Sequence, residues 1–265
     1  MIFRVFLIIC FLCPSVLFAA ENTGVTAYSA VLMNPVNKKI IYSKNSRAKL
    51  APASTIKIMT AIVAVKNSSL DKNVRISAYA ASMPPSKIHV KEGEVYKIED
   101  LLKAVLLNSG NDASVALAEG VAGSEKKFVD MMNETAKKIG AGDTRFKTPN
   151  GLPAKGQYST ARDLALIMKE ATRYKAIMDI MGLKTAEIKE LNSGRTIKLR
   201  NHNKSLWKDN HYTMLGKTGY TINARHCFAG YIEYSNKKKA VVVILKSRKM
   251  WTDLERLALK GRKRK

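Results

Sequence analysis

Ala51-Pro52-Ala53-Ser54-Thr55-Ile56-Lys57 sets a hydroxyl and an amine three residues apart at the head of an apolar run. The pattern predicts a helix starting at or just before Ser54, with Pro52 shaped for the turn into it. Residues three apart lie on one helix face, so Lys57 can stand beside the Ser54 hydroxyl. A serine is a weak nucleophile until a neighbour takes its proton. A lysine can be that neighbour where burial or a second cation makes its neutral form accessible. The helix start would add N–H groups and a positive field where charge develops on an attacked carbonyl. Ser-x-x-Lys alone decides nothing, because it starts at Ser46, Ser54, Ser69, Ser124, Ser205 and Ser235. Only after Ser54 does a strongly apolar run follow, from Ile56 to Val65, and a lysine in a buried helix demands a reason.

Two further stretches could join that pair. Asn108-Ser109-Gly110-Asn111 interrupts two apolar helical patterns; taken alone it is turn chemistry. Lys217-Thr218-Gly219 occurs once, inside a strand-like run, where a glycine marks either a bulge or the close approach of a ligand or another backbone. Ser109 follows Ser54 by 55 residues and Lys217 follows Ser109 by 108.

The elements that must position these groups follow from periodicity and turn residues. Residues 26–33 and 39–43 read as strands joined by a turn at Asn34-Pro35-Val36-Asn37. Short strands are expected at 74–76 and 95–97, then a helix over 98–107, acidic in its first turn. Asp112 is expected to cap a helix over 113–120, and another is expected over 124–139. Ser159-Thr160 caps one running through Tyr174. Strand character returns at 196–199, 214–220, 229–234 and 240–246, and an amphipathic helix over 250–259 closes the chain. Strands at both ends and helices between predict an α+β fold, an antiparallel sheet covered by helices with a helical insertion beside it, and a cleft at the seam.

Net charge is +25 across 265 residues, a balance suited to polyanions. Residues 1–20 carry one basic residue, an apolar run from Val5 to Phe18 and Ala19-Ala20, the pattern of a secretory signal peptide. An exported chain seldom meets nucleic acid, so an anionic wall, membrane surface or carboxylate-bearing substrate fits the charge better. Residues 21–259 would form the working domain, and 260–265 a frayed basic tail. Cys227 is the one cysteine beyond the leader, so no internal disulfide is expected. Beside His226 on a strand it would point to the opposite face, as a packed residue. His89, His202, His211 and His226 are too scattered for a recognisable zinc set, so no metal or cofactor is expected.

The order Ser-x-x-Lys, Ser-x-Asn, Lys-Thr-Gly is far more specific than any one part. On it, and on Thr148-Pro149-Asn150-Gly151-Leu152 and Ser159-Thr160-Ala161-Arg162-Asp163-Leu164, the chain resembles the low-molecular-mass penicillin-binding proteins. These are the D-alanyl-D-alanine carboxypeptidases of serine peptidase family S11. The resemblance spans roughly residues 26–257. It implies the β-lactamase/transpeptidase-like fold, with a five-stranded antiparallel sheet. It implies Ser54 as nucleophile toward peptidoglycan stem peptides, Lys57 as base, Ser109 as proton relay and Asn111 as the group holding Lys57 and substrate. Lys217, close to Ser109, would add positive charge, and Thr218 would help to bind the terminal carboxylate. Gly219 and Tyr220 would be part of the substrate-binding strand, and the N–H groups of Ser54 and Tyr220 would form the oxyanion hole. Arg248 is the candidate for a further cation, with Lys246 in competition. β-Lactam antibiotics would acylate Ser54.

Many relatives continue into a C-terminal β-domain, which the 46 residues after Gly219 are too few to contain. Ala224-Arg225-His226-Cys227 looks closer to relatives acting as DD-endopeptidases, the alternative reading. A β-lactamase ranks lower, since no Glu-x-x-Leu-Asn lies between Ser109 and Lys217. A non-enzymatic wall-binding protein ranks lower too, since all three motifs are intact.

Overall fold

The computed structural model describes residues 24–209 and 211–263. The expected signal peptide lies outside them, and no described helix is long and apolar enough to cross a membrane.

A hairpin, β1 (Ser29–Met33) and β2 (Ile40–Lys44), opens the chain, and a single 3-10 turn, Ala53–Ile56, leads into α1 (Lys57–Asn67). β3 (Asn73–Arg75), α2 (Ala78–Ala81) and β4 (Val95–Lys97) follow. The helical block is α3 (Ile98–Leu107), α4 (Asn111–Ala122), α5 (Glu125–Ile139), α6 (Ala161–Ala171) and α7 (Lys175–Gly182). A second hairpin, β5 (Thr185–Lys189) and β6 (Thr196–Arg200), precedes β7 (Tyr212–Thr221), β8 (Arg225–Tyr234), β9 (Lys239–Ser247) and α8 (Met250–Lys263). The main sheet has the order β2-β1-β9-β8-β7, every neighbouring pair antiparallel.

β9 lies mid-sheet and is apolar on both faces, as a strand covered on both sides must be. Val241, Val243 and Leu245 join the larger core with Ile58, Ile62 and Leu164 of α1 and α6. Val242 and Ile244 face Leu254 and Leu257 of α8 in a smaller second core. α1 is buried almost throughout, which accounts for its unbroken apolar run. The expected α+β fold, with its five-stranded antiparallel sheet and helical block, is the observed one.

The boundaries differ in instructive places. The helix expected to run through Tyr174 ends at Ala171, and α7 starts afresh at Lys175. No Gly or Pro marks that break, and the apolar periodicity carries across it. Asp112 does not cap α4. Gly110 stands at the cap, and the Asp112 carboxylate, inside the first turn, accepts from the Ala113 N–H of the helix and from the N–H groups of Ile88 and Val90. The basic end is not a frayed tail as far as Lys263, because α8 continues through it. Tyr234 pins the last turns by donating its hydroxyl to the Ala258 carbonyl at 2.9 Å, and the lack of a side chain at Gly261 leaves room for that hydroxyl.

Candidate active site

The 3-10 turn and the first residue of α1 deliver the expected pair. Lys57 Nζ donates to Ser54 Oγ at 3.1 Å. Behind the serine, the same amine donates to Asn111 Oδ1 at 2.9 Å and to the Asn150 carbonyl. The Asn111 amide is oriented, because its Nδ2 donates to the Pro84 carbonyl at 3.0 Å. Both inner partners of Lys57 are therefore pure acceptors. A neutral amine has two N–H donors and one lone pair; the acceptors take the donors and leave the lone pair facing the serine hydroxyl.

Electrostatics favour that neutral form. Lys57 is fully buried. Its pKa is held well below the usual lysine range, first by burial and then by the charge of Lys217, against an opposing pull from Asp112. Lys217 is buried too, and burial alone brings it down to about 7. Its ammonium donates to the Thr218 carbonyl at 3.0 Å.

The approach of β7 to the serine rests on glycine. A Cβ at Gly219 would sit 2.9 Å from Ser54 N and 3.1 Å from Thr55 N, so only glycine lets this outer strand lie against the nucleophile's backbone. A Cβ at Gly151 would come within 2.3 Å of the Ala53 carbonyl oxygen, and Gly151 also has φ +83°. That turn brings Asn150 to Lys57. Ala53 and Ser109 hold φ of 48° and 61°, a strained backbone at both serines of the site.

In front of Ser54 lies a cavity of about 620 Å³ lined by Ser54, Ser109, Thr218, Gly219, Tyr220 and Arg248, among others. Lys57, Asn111 and Lys217 stand buried behind its wall. Every residue expected for the site is thus at one place. Arg248 lines the cavity, whereas the Lys246 ammonium lies over the Tyr28 ring at 5.9 Å. His226 lines the cavity against the Tyr220 ring, centroids 4.8 Å apart. Its neighbour Cys227 is turned inward and buried, its thiol pushed up to about 12 by burial.

Three contributors escaped the sequence. The Asn150 carbonyl is one, its turn visible but its contact not. His202 is another: open to solvent on the cavity side, its imidazole is still held down to about 4 by partial burial and then by Lys217 and Lys57. Asp112 is the third, tying the 84–90 segment beside the site through Ile88 and Val90. Among the described residues no group of three or more His, Cys, Asp or Glu side chains converges as a metal site.

A family model described as D-alanyl-D-alanine carboxypeptidase, peptidase S11, matches residues 17–248. The chain belongs to peptidase family S11. It is 39% identical over 232 residues to D-alanyl-D-alanine carboxypeptidase DacF of Bacillus subtilis, covering 82% of this chain and 57% of that one. Against the D-alanyl-D-alanine endopeptidase of Escherichia coli the identity is 30%, covering 85% of this chain and 73% of the relative. The crystal structure of a D-alanyl-D-alanine carboxypeptidase from Mycobacterium tuberculosis superposes with a TM-score of 0.85 at 27% identity, covering 91% and 92% of the two chains. The Streptomyces K15 DD-transpeptidase superposes at 0.82 with 26% identity, covering 89% and 97%. This S11 chain spans 57% and 56% of the first two curated relatives it matches, about half their length.

Proposed function

We propose that this S11 chain is an exported serine DD-carboxypeptidase that removes the terminal D-alanine from peptidoglycan stem peptides. The observation that carries the reading is the buried Lys57 amine, which stands 3.1 Å from Ser54 Oγ while the Asn111 side-chain oxygen and the Asn150 carbonyl behind it take its two N–H donors. Ser54 Oγ attacks the carbonyl between the two D-alanines while its proton passes to the Lys57 lone pair. The oxyanion is met by the N–H groups of Ser54 and Tyr220. Collapse expels D-alanine, its amine protonated through Ser109, and leaves an acyl-serine that water hydrolyses. Asn111 keeps Lys57 and the substrate amide in place. Lys217, Thr218 and Arg248 receive the terminal carboxylate, which needs a cationic, hydroxyl-lined end to the cleft. β-Lactams, which present a strained amide to the same serine, would acylate Ser54.

Intact-protein mass spectrometry after incubation with benzylpenicillin tests this reading. The expected result is a stable adduct on the wild type, mapped to the Ser54 peptide and absent from Ser54→Ala. No adduct and no penicillin hydrolysis would sink the catalytic assignment and favour a wall-binding protein. Rapid hydrolysis without a lasting adduct would favour a β-lactamase. A second reading, DD-endopeptidase, is supported by the resemblance to the Escherichia coli endopeptidase, which extends over 73% of that protein's length. Comparing turnover of a pentapeptide with that of a cross-linked dimer separates the two.

A further inference from the structure

The positive charge is not spread evenly. Residues 34–49, 234–250 and 256–263 contain no Asp or Glu, and the fold brings parts of all three to one end of the main sheet. There the β1–β2 turn, the β8–β9 turn and the last turn of α8 enclose a depression of about 420 Å³. Among the described residues its lining includes Lys39, Lys237, Lys238, Lys239 and Gly261, and no Asp or Glu. Lys38 and Arg262 are exposed close by in sequence. This end lies opposite the catalytic cavity: β9 begins here at Lys239 and runs nine residues to Ser247, next to Arg248. At about 3.3 Å per residue that separates the two by about 26 Å.

The same end exposes apolar side chains. Val36 is 82% exposed at the tip of the β1–β2 turn, and Ile40 is 39% exposed at the start of the edge strand β2. Lys38 and Lys39 lie between them. A soluble polyanion has no use for exposed Val and Ile. A lipid surface does, because apolar tips enter the boundary between headgroups and acyl chains while lysine stems reach up to the phosphates.

We infer that this end of the sheet is a docking surface for an anionic phospholipid bilayer. Clusters of four to eight basic residues at a membrane surface hold anionic headgroups through such additive attraction. Docked in this way, the chain presents the Ser54 cavity away from the bilayer. The inference uses no residue of the proposed reaction and stands or falls independently of it.

Co-sedimentation of the purified full chain with phosphatidylglycerol/phosphatidylethanolamine vesicles, against phosphatidylcholine vesicles, tests the surface. The chain is expected to partition onto the anionic vesicles and not the zwitterionic ones. Each lysine at the interface is worth about fivefold in partitioning, so Lys38→Ala with Lys237→Ala should weaken binding about 25-fold. Lys126→Ala with Lys175→Ala removes the same net charge from exposed sites on α5 and α7 and should weaken it less than about threefold. Val36→Ser should weaken it at least about threefold, since burying apolar carbon contributes on that order per methylene. Unchanged far-ultraviolet circular dichroism spectra keep the comparison on the surface, as all five positions are exposed. Equal losses in the two double variants would overturn the proposal, by reducing it to net charge. An unaffected Val36→Ser together with full displacement by soluble polyphosphate would overturn it as well, in favour of a soluble polyanion.

Discussion

Lys57 and Lys217 show how two identical side chains come to have different work. Both are buried lysines without a carboxylate partner, an arrangement that costs stability unless the charge is given up. Lys57 is surrounded by acceptors that a neutral amine can satisfy, so Lys57→Met should reduce the rate of Ser54 acylation by penicillin about 10²–10⁴-fold, the range for loss of a general base. Stopped-flow acylation kinetics measure this, and a fall of less than tenfold would remove Lys57 from the role. Lys217 makes a different prediction, about stability. The unfolded chain keeps this proton to about 10.5, whereas the folded chain releases it near 7. Between those values the unfolded state binds more protons, so stability rises with pH, and below 7 the cost of the buried charge is fully present. Urea titrations of wild type and Lys217→Met should therefore diverge between pH 7 and 10 in that sense, with the wild type gaining more from alkalinity than the variant, which keeps only the contribution of Lys57. A wild type that gains no more than the variant would contradict a depressed Lys217. The identities of these residues were legible in the sequence because side chains carry motifs. His202 was not, since its significance comes from partial burial and from the two lysines that only the fold sets near it.

At the scale of elements, the site depends on how closely a turn and a strand approach the start of α1. Gly219 and Gly151 both face the backbone at Ala53-Ser54, yet they do so for different reasons. Gly219 needs space alone, so Gly219→Ala should push β7 off the serine. Acylation should fall about 10²–10³-fold, comparable with losing an oxyanion donor, with only a small fall in melting temperature. Gly151 needs both space and its positive φ, so Gly151→Ala should cost about 2–4 kcal/mol and lower the melting temperature by roughly 5–15 °C. Scanning calorimetry alongside penicillin labelling checks both; the reverse ranking, with Gly219→Ala the less stable, would contradict the assignment. These contacts also explain what the sequence hid. The strands β7, β8 and β9 announce themselves through alternation and apolar runs, and α1 through its unbroken apolar face. The Asn150 carbonyl carries no signature, because every residue has one. The α6–α7 break lacks the Gly or Pro that would mark it and is settled by packing of α7 on α3. The alternation of β5, Thr185–Lys189, is present in the sequence but too short to stand out before its pairing with β6 is known.

For the molecule as a whole, a net charge of +25 sets attraction against repulsion, and the outcome can be read in salt. The ion pairs between side chains are mostly exposed, such as Lys126–Asp130 and Lys175–Asp179, and pairs of that kind contribute between zero and 1 kcal/mol each. The Glu94–Arg195 and Lys103–Asp100 pairs are better shielded, the first with two contacts at 2.8 and 2.6 Å and the Tyr96 hydroxyl beside it, and they lose less to screening. Against these stands the mutual repulsion of 46 cationic side chains held in a compact volume with 21 anionic ones. Unfolding lets those charges move apart, so repulsion lowers the stability of the folded state. Salt screens both effects, but repulsion acts between many pairs over long distances, where screening is most complete. The melting temperature should therefore rise as NaCl increases from about 10 mM to 1 M, while the Debye length shrinks from about 30 to about 3 Å. The steepest part of the rise should come below about 0.15 M. Lys38→Ala with Lys237→Ala should flatten the curve, because those lysines stand where several lysines and, among the described residues, no Asp or Glu line the surface. A melting temperature that falls with salt would mean that the ion pairs dominate, and that the basic end of the sheet is neutralised by groups elsewhere on the surface.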